Sequence, residues 1–228
     1  MIVVVGTPTW GGSRTPEPTG LASAIALAIA ARGANVELVG RVGDDEAGDA
    51  LLIALARGRV GHVAVLRDPA RATVIRPEVK TPAESGLKTL DPDETSPILG
   101  EGADHIRVSA TPDQPPVLEA ADVAMALRYL TEFSVLVVTE DVLDEAIPIA
   151  VEAATYAAAA LVVLVESGDA VPRVVPQDAT VFAVPDHDAG SGFAAMVAAY
   201  AVALDAGKHP RDAFAAAVSD RAWESAPE

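Results

Sequence analysis

Cysteine is absent from this sequence, and basic residues are scarce. The lack of cysteine in 228 residues excludes disulfide bonds, thiolate metal sites and cysteine nucleophiles. Only 16 lysines and arginines stand against 33 acidic residues, which gives a formal net charge of −17 at pH 7. A surface of that sign repels phosphate backbones and anionic lipid, so we expect no nucleic-acid partner and no membrane association. It also opposes ATP binding unless a local pocket is positive or magnesium screens the phosphates.

Long hydrophobic runs are also missing. The first six residues, MIVVVG, form too short an apolar run for a signal peptide and contain no basic residue. The longest apolar runs, residues 153–165 and 193–204, fall short of the length that spans a bilayer. We therefore expect a cytoplasmic protein, and the absence of thiols fits that compartment.

The pattern that is present is an alternation of strand and helix signals. The 228 residues, 50% of them hydrophobic, suffice for one well-buried domain. Short buried runs rich in β-branched residues predict strands at 2–5, 36–39, 62–66, 135–138, 161–165 and 180–184. Helical patterns separate them, at 20–32, 46–57, 118–130, 145–158, 192–205 and 210–222. This alternation predicts a three-layer α/β fold, in which helices cover both faces of a mostly parallel central sheet.

Residues 68–116 do not follow this alternation. Eight prolines interrupt the segment, and charged residues are frequent in it. Two short extended pieces are predicted inside it, at 72–75 and 105–109. We interpret the segment as an irregular excursion or edge hairpin within a single domain of residues 1–228.

The most specific pattern lies in residues 20–48. A helix of small residues begins at Gly20 and ends at Gly33, a buried strand follows, and an acidic turn is bracketed by Gly43 and Gly48. This order and spacing resemble the first signature of the ribokinase-like (PfkB) carbohydrate and nucleoside kinase family. The stretch NVELVGRVGDDEAGDALLIAL is similar to members of that family throughout. The resemblance implies a ribokinase-like fold and, in an intact member, transfer of phosphate from magnesium-ATP to a sugar or nucleoside.

The end of this signature that would contact the sugar is altered. Of the Gly-Gly pair that opens the family's first long helix, only Gly20 remains, because Thr19 occupies the partner position. Ala24 stands where the family has an Asn that hydrogen-bonds substrate hydroxyls. The loop after the first strand carries no carboxylate before Glu17, although the family's substrate base is expected there. Since the family's lid strands begin in this loop, we expect the lid and part of the nucleotide side to be reduced or missing.

Two residues near this end are candidates for substrate contact, Trp10 and Gly20. Trp10 lies in the loop after the first strand, near the substrate cleft that the resemblance implies. An indole there could stack on a sugar ring. It could equally well pack against the core or contact a second subunit.

The carboxyl-terminal part resembles the family's final helix pair, which opens with a Gly-Ala-Gly-Asp anion hole. In that alignment Asp188 takes the position of the first glycine, and Ser191 takes that of the catalytic Asp. The Asp would accept the proton of the attacking hydroxyl, and a serine cannot do so near neutral pH without an activating partner. Asp188 would also place a negative charge at the γ-phosphate. Gly190, Ser191 and Gly192 remain candidates for anion or nucleotide binding, with an ordinary helix start as the alternative.

A second alignment places the same stretch on the family's magnesium-organising Pro-Asn-x-x-Glu motif, with Asp186 at the Asn position. If the protein is active, Asp186 or Asp188 would have to act as the base. These carboxylates could instead cap the following helix or face solvent. The histidines are isolated in sequence and indicate no metal site.

Three hypotheses follow. The first is a kinase relative that has lost phosphoryl transfer and binds at most a sugar, nucleoside, other small molecule or anion. The second is an active sugar or nucleoside kinase with Mg²⁺ and ATP as cofactors. The third is a structural module without a ligand, in which an apolar edge left by the missing lid forms a homodimer. We rank the first highest because Ala24, Asp188 and Ser191 depart from the pattern together.

Overall fold

A computed structural model describes residues 1–11, 16–76, 115–185 and 191–219, apart from the side chain of Ser191. Within these ranges the chain forms nine strands and six helices. The strands are β1 (Ile2–Val5), β2 (Thr9–Gly11), β3 (Pro18–Thr19), β4 (Val36–Gly43), β5 (Gly61–Asp68), β6 (Ile75–Arg76), β7 (Val135–Val138), β8 (Ala160–Glu166) and β9 (Thr180–Val184). The helices are α1 (Leu21–Ala31), α2 (Glu46–Arg57), α3 (Ala120–Tyr129), α4 (Ile147–Tyr156), α5 (Ser191–Asp205) and α6 (Pro210–Ser219).

Six parallel strands form the main sheet, in the order β5-β4-β1-β7-β8-β9. Strand β1 lies near the centre, where Ile2 is opposite Val36 of β4 and Val135 of β7. From β1 the chain builds the sheet first to one side, through β4 and β5, and later to the other, through β7, β8 and β9. The order therefore reverses between β1 and β7, and in open parallel sheets ligands bind beyond the carboxyl ends of the strands at such a reversal.

Helices cover both faces of the main sheet, as the sequence predicts. All four residues of β1 are fully buried, and their side chains alternate between two cores. Ile2 and Val4 pack with residues of α1, α2, α5 and α6. Val3 and Val5 pack with residues of α3 and α4. The predicted three-layer α/β fold with a parallel central sheet is thus confirmed.

A second, much smaller sheet follows the carboxyl end of β1. Its order is β3-β2-β6, with Trp10 of β2 opposite Pro18 in an antiparallel pair and opposite Ile75 in a parallel pair. The residues after β1 that we placed in a loop therefore form a strand. The extended piece predicted at 72–75 corresponds to the approach to β6. This sheet follows β1, where the resemblance implies a lid, and the reduction of that lid remains a prediction.

Two of the helix ends that the glycines predict are confirmed. Gly33 follows α1 and Gly207 follows α5, both with a φ of 81°, a left-handed conformation that favours glycine. The amide of Gly33 donates to the carbonyl oxygen of Ala30 at 2.9 Å. These ends are local events, so a sequence pattern is enough to predict them.

Several elements differ in length from the prediction. Strand β4 continues to Gly43 because its pairing with β5 runs on to Asp68, although polar residues interrupt the apolar pattern. Helix α3 begins at Ala120, where Glu119 and Asp122 form a capping box. The extended piece predicted at 105–109 and the last residues of the predicted final helix lie outside the described residues.

No helix within the described ranges is both long and apolar enough to span a membrane.

Candidate functional site

The carboxyl ends of β1 and β7 meet the first turn of α1 at Gly6. The amide of Gly6 donates to the carbonyl oxygen of Val39 at 3.0 Å, which continues the pairing with β4. A Cβ atom on Gly6 would lie 1.9 Å from Oγ1 of Thr139 and 2.9 Å from Cβ of Ala22. A side chain at this position would therefore push β7 and α1 away from β1. The glycine therefore allows these three elements to approach one another closely, and we refer to the region just beyond the ends of β1 and β7 as the crevice.

Asp141 fixes the chain where it leaves β1. Its Oδ2 atom accepts a hydrogen bond from the amide of Thr7 at 2.7 Å, and its Oδ1 atom contacts the hydroxyl of Thr139. That hydroxyl also lies 3.0 Å from the carbonyl oxygen of Val5. Asp141 is thus a positioning residue, because it ties the segment that leads to β2 to the end of β7.

The carboxyl group of Glu140, the preceding residue, accepts from its own backbone amide, but no other described residue donates to it. Its Oε2 atom is buried and makes no hydrogen bond with any described residue. Burial raises the pKa of Glu140 above its ordinary value of 4.5, and the charges of Asp141 and Glu166 raise it further. A hydrogen bond from a backbone amide and the charge of Arg76 oppose this rise. An unsatisfied buried acceptor costs roughly 1–3 kcal/mol, so this oxygen can accept a hydrogen bond from a donor that the described residues do not supply.

The charges around the crevice come from both sheets. Glu140 and Asp141 follow β7, and Glu166 ends the neighbouring strand β8. Arg76 comes from β6 of the small sheet, where it lies opposite Gly11 of β2. The crevice therefore offers carboxylate acceptors from the main sheet and a guanidinium from the small one. Within the described residues, no cluster of three His, Cys, Asp or Glu side chains could hold a metal ion.

A second carboxylate with an unpartnered oxygen provides a useful contrast. Glu37 lies near the amino end of β4, and its Oε2 atom is also buried without a hydrogen bond. Burial raises its pKa, while a backbone hydrogen bond from Val63 and the charge of His62 oppose the rise. Glu37 is far from the carboxyl ends of β1 and β7 along its strand, whereas Glu140 follows β7 directly at the expected ligand position. The Oγ atom of Ser23, in the first turn of α1, is likewise buried without a partner among the described residues.

The two residues proposed for substrate contact lie beside this crevice. Trp10 is the central residue of β2, is half-buried against the core, and its amide donates to the carbonyl oxygen of Val74 at 2.9 Å. Gly20 immediately precedes α1 with a φ of 80°. A Cβ atom there would lie 2.8 Å from Oγ1 of Thr9. The start of α1 therefore lies closely against the small sheet, and the substrate roles of Trp10 and Gly20 remain predictions.

Ala24 lies one turn into the same helix, at the position of the family's Asn. Its amide donates to the carbonyl oxygen of Gly20 at 3.0 Å, and its methyl group packs against the core. A methyl group offers a ligand no hydrogen bond, so Ala24 cannot replace the missing amide.

The base of the small sheet is held by Asp45. This residue caps α2 by accepting from the amide of Gly48 at 2.7 Å. It also accepts from the amide and from the hydroxyl of Thr73, each at 2.7 Å. Burial raises the pKa of Asp45, but these hydrogen bonds outweigh burial and leave the pKa below its ordinary value of 3.8. The segment that enters β6, and with it Arg76, is thereby anchored to the main sheet.

The predicted anion site lies mostly outside the described residues, which include neither Asp186 nor Asp188 nor Gly190. Helix α5 begins at Ser191, and Gly192 is buried in its first turn. The catalytic and anion-binding roles of these five residues remain predictions.

Sequence reasoning missed Glu140, Asp141 and Arg76. A usable signal existed for the two acids, because they follow a fully buried strand almost directly, where parallel sheets place ligand-binding groups. Arg76 gave no such signal, since only the pairing of β6 with β2 brings it to the crevice.

No family model and no curated protein matches the sequence. Solved structures match the fold. The ribokinase of Arabidopsis thaliana, complexed with ribose and ATP, aligns at a TM-score of 0.61 and 15% identity, over 96% of this chain and 90% of that one. A PfkB protein from Polaromonas sp. aligns at a TM-score of 0.59 and 13% identity, over 99% of this chain and 96% of that one. Identities this low show a shared fold, and the chain has the ribokinase-like fold.

A third match shows how short the chain is. A sugar kinase from Pyrococcus horikoshii, in complex with ATP, aligns at a TM-score of 0.48 and 12% identity over 72% of this chain. The alignment covers 53% of the kinase, so this chain spans about half of that protein's length.

Proposed function

We propose that this protein binds a hydroxyl-rich small molecule, a sugar or a nucleoside, beyond the carboxyl ends of β1 and β7, and that it is degenerate in phosphoryl transfer. The observation that carries the proposal is the Oε2 atom of Glu140, which is buried without a partner among the described residues at the point where the strand order reverses. The binding of ribose and ATP by the Arabidopsis ribokinase of the same fold supports the ligand class.

A ligand hydroxyl would supply the donor that Glu140 lacks. A hydrogen bond from a hydroxyl to a carboxylate contributes about 1.5–3 kcal/mol, more than a bond between neutral groups. Such a bond favours the ionised form, so binding should lower the raised pKa of Glu140. The neighbouring Trp10 provides an apolar surface for a sugar or nucleobase ring, and Gly20 leaves room beside it.

The proposed loss of phosphoryl transfer depends on the residues at the start of α5. Ser191 replaces the base that would deprotonate the substrate, and Asp188 would repel the γ-phosphate. The described crevice does not fit a magnesium-triphosphate either. It presents Glu140, Asp141 and Glu166 against Arg76 alone, and its described residues provide no metal cluster. We therefore derive no step through ATP or Mg²⁺.

A homodimer through the small sheet is a second candidate role. Strands β3 and β6 are the outer strands of that sheet, and neither pairs with a further strand within the described ranges. The side chain of Ile75 in β6 is 56% exposed. An apolar side chain on an open strand edge favours pairing with another copy of the chain.

The test is thermal unfolding with a panel of ribose, other sugars and nucleosides, each with and without magnesium-ATP. A ligand at a hundred times its dissociation constant should stabilise the protein by about 2.7 kcal/mol. We expect this gain in the wild type and in Glu37→Gln, the matched control with an unpartnered buried carboxylate elsewhere. Glu140→Gln should lose most of it.

Equal stabilisation of Glu140→Gln and the wild type would place the ligand elsewhere and refute the site. Sugar-dependent conversion of ATP to ADP would refute the loss of phosphoryl transfer. Asp186→Ala and Asp188→Ala would then test which of these residues is the catalytic base. A protein that responds to no compound and sediments as a dimer would favour the structural role.

A further inference from the structure

A groove of about 570 Å³ lies between the carboxyl-terminal halves of α3 and α4. Helices that connect parallel strands run antiparallel to them, so these halves lie at the amino edge of the main sheet, opposite the crevice at Glu140. The volume falls within the roughly 300–1,000 Å³ of small-molecule sites. The groove is therefore large enough for a ligand of its own, at a place that the proposed function does not use.

The inside of the groove is apolar. Leu127 and Phe133, only 6% and 5% exposed, form part of its wall together with Ile149 and Ala153. Phe133 precedes β7, and Ile149 belongs to α4, so the apolar wall joins both helices to the sheet. Such a wall suits an aliphatic or aromatic group, because burying that group removes apolar surface from water.

Two opposite charges line this apolar groove. Arg128 comes from α3 and Glu152 from α4, and both side chains are exposed. Neither one makes a hydrogen bond or ion pair with any other part of the chain that the structure describes. The groove therefore offers a free cation and a free anion on the two helices that form it.

We propose that this groove binds a free amino acid with an apolar side chain. The carboxylate would accept hydrogen bonds from the guanidinium of Arg128, whose planar fork fits a carboxylate. The ammonium would donate to Glu152, and the side chain would lie against Leu127 and Phe133. A zwitterion pairs with both charges. Glu152 repels a simple anion, and Arg128 repels a simple cation. A neutral sugar pairs with neither charge.

Tyr156 strengthens this assignment. The chain contains only 3 tyrosines, and Tyr156 lines the groove while 89% exposed. An aromatic face near an ammonium group attracts it. Tyr156 follows Glu152 by one helical turn of α4, so both belong to the same side of that helix.

The experiment is calorimetric or NMR titration of the whole chain with L-phenylalanine and L-leucine. Three probes each remove one feature of the ligand: 3-phenylpropanoate lacks the ammonium, phenethylamine lacks the carboxylate, and glycine lacks the apolar side chain. We expect saturable binding of L-phenylalanine or L-leucine and at least tenfold weaker binding of all three probes. Arg128→Gln and Glu152→Gln should each weaken amino-acid binding at least tenfold, whereas the exposed control substitutions Arg57→Gln and Glu145→Gln should not.

Two results would overturn the proposal. One is a failure of the binding test: either the wild type binds no amino acid, or Arg128→Gln and Glu152→Gln bind it as tightly as the wild type does. The other is a dimer, seen by sedimentation, that Arg128→Gln or Glu152→Gln dissociates, because the two charges would then pair reciprocally between copies of the chain. Neither result bears on Glu140, so the failure of this proposal and that of the sugar site can be told apart.

Discussion

At the amino edge of the main sheet, Asp205 accepts from the amino group of Met1 at 2.9 Å and contacts the hydroxyl of Ser134. At the carboxyl edge, Glu140 is also largely removed from solvent, yet its Oε2 atom has no described partner. Burial raises the pKa of both carboxyls, but the partners of Asp205 outweigh it and lower its pKa, whereas nothing comparable offsets burial at Glu140. The first carboxylate stabilises the fold, and the second has an oxygen without a partner among the described residues, to which we assign the proposed ligand contact.

The position in the sheet does not by itself explain this difference. Asp45 also lies at the carboxyl edge, and it is fully engaged with Gly48 and Thr73. The comparison between Asp205 and Glu140 therefore concerns the presence of partners. Substitutions should therefore distinguish the carboxylates that have protein partners, Asp205 and Asp45, from Glu140.

The largest effect is expected for Asp45→Ala. This change removes a helix cap, worth about 0.5–2 kcal/mol, and leaves the buried Thr73 with unsatisfied donors, which costs roughly 1–3 kcal/mol more. We expect a loss of about 3 kcal/mol in urea unfolding. Asp44→Ala is the control, because Asp44 is 56% exposed and its side chain pairs, among the described residues, with Arg67 at the surface. Similar losses in both variants would contradict the anchoring role of Asp45.

A smaller loss is expected for Asp205→Asn, on the order of 1 kcal/mol, because solvent weakens this ion pair. Since the pKa of Asp205 is lower in the folded protein, its ionised form stabilises the fold. That contribution is present above the ordinary value of 3.8 and disappears as the pH falls through the lower folded pKa. Thermal unfolding of both proteins from pH 7 downward should show the difference shrink at acid pH. A constant difference would mean that shape, and not charge, is what Asp205 contributes.

The opposite sign is expected for Glu140→Gln without ligand. The folded pKa of Glu140 is raised, so its protonated form favours folding and its ionised form opposes it. Stability from this group is present below the ordinary value of 4.5 and is lost as the pH rises through the folded pKa. At pH 7 the variant should be more stable by about 0.5–1 kcal/mol, with allowance for partial solvation. Destabilisation at pH 7 would show that the carboxylate has a structural partner after all.

The smallest effect is expected for the charges of the amino-acid groove. Arg128 and Glu152 are exposed, so solvent already satisfies them, and neither one has a partner to lose within the described residues. Arg128→Gln and Glu152→Gln should each change the free energy of unfolding by less than about 0.5 kcal/mol without ligand. A larger loss would indicate an ion pair between the two helices in solution, and the groove would then lack its free charges.

Several parts of the fold were predictable because they depend on neighbours in sequence. The bounds of α2 and of β7 were predicted as observed. The apolar spacing and the cap of α2, and the continuous apolar run of β7, are visible in the local sequence. The glycine-ended helix α1 was predicted to within one residue at each end. The small sheet was missed because β2 is only three residues long and its partner β6 follows more than sixty residues later.

The candidate site was predictable only in part. Trp10 and Gly20 were placed near the crevice through the family resemblance. Glu140 and Asp141 look alike in sequence, as adjacent acids after the same strand. They differ because the amide of Thr7, 134 residues away, reaches Asp141, whereas no described residue reaches the Oε2 atom of Glu140.

The sequence by itself determined the alternation of strands and helices, the helix ends at Gly33 and Gly207, and the absence of thiol chemistry. These follow from side-chain type, local backbone conformation and composition. Only the tertiary structure decided which carboxylates are paired, that Thr73 reaches Asp45 across 28 residues, and that a charged groove lies between α3 and α4. A carboxylate's partners depend on distances between segments far apart in the chain, and those distances are set when the two cores pack against the sheet.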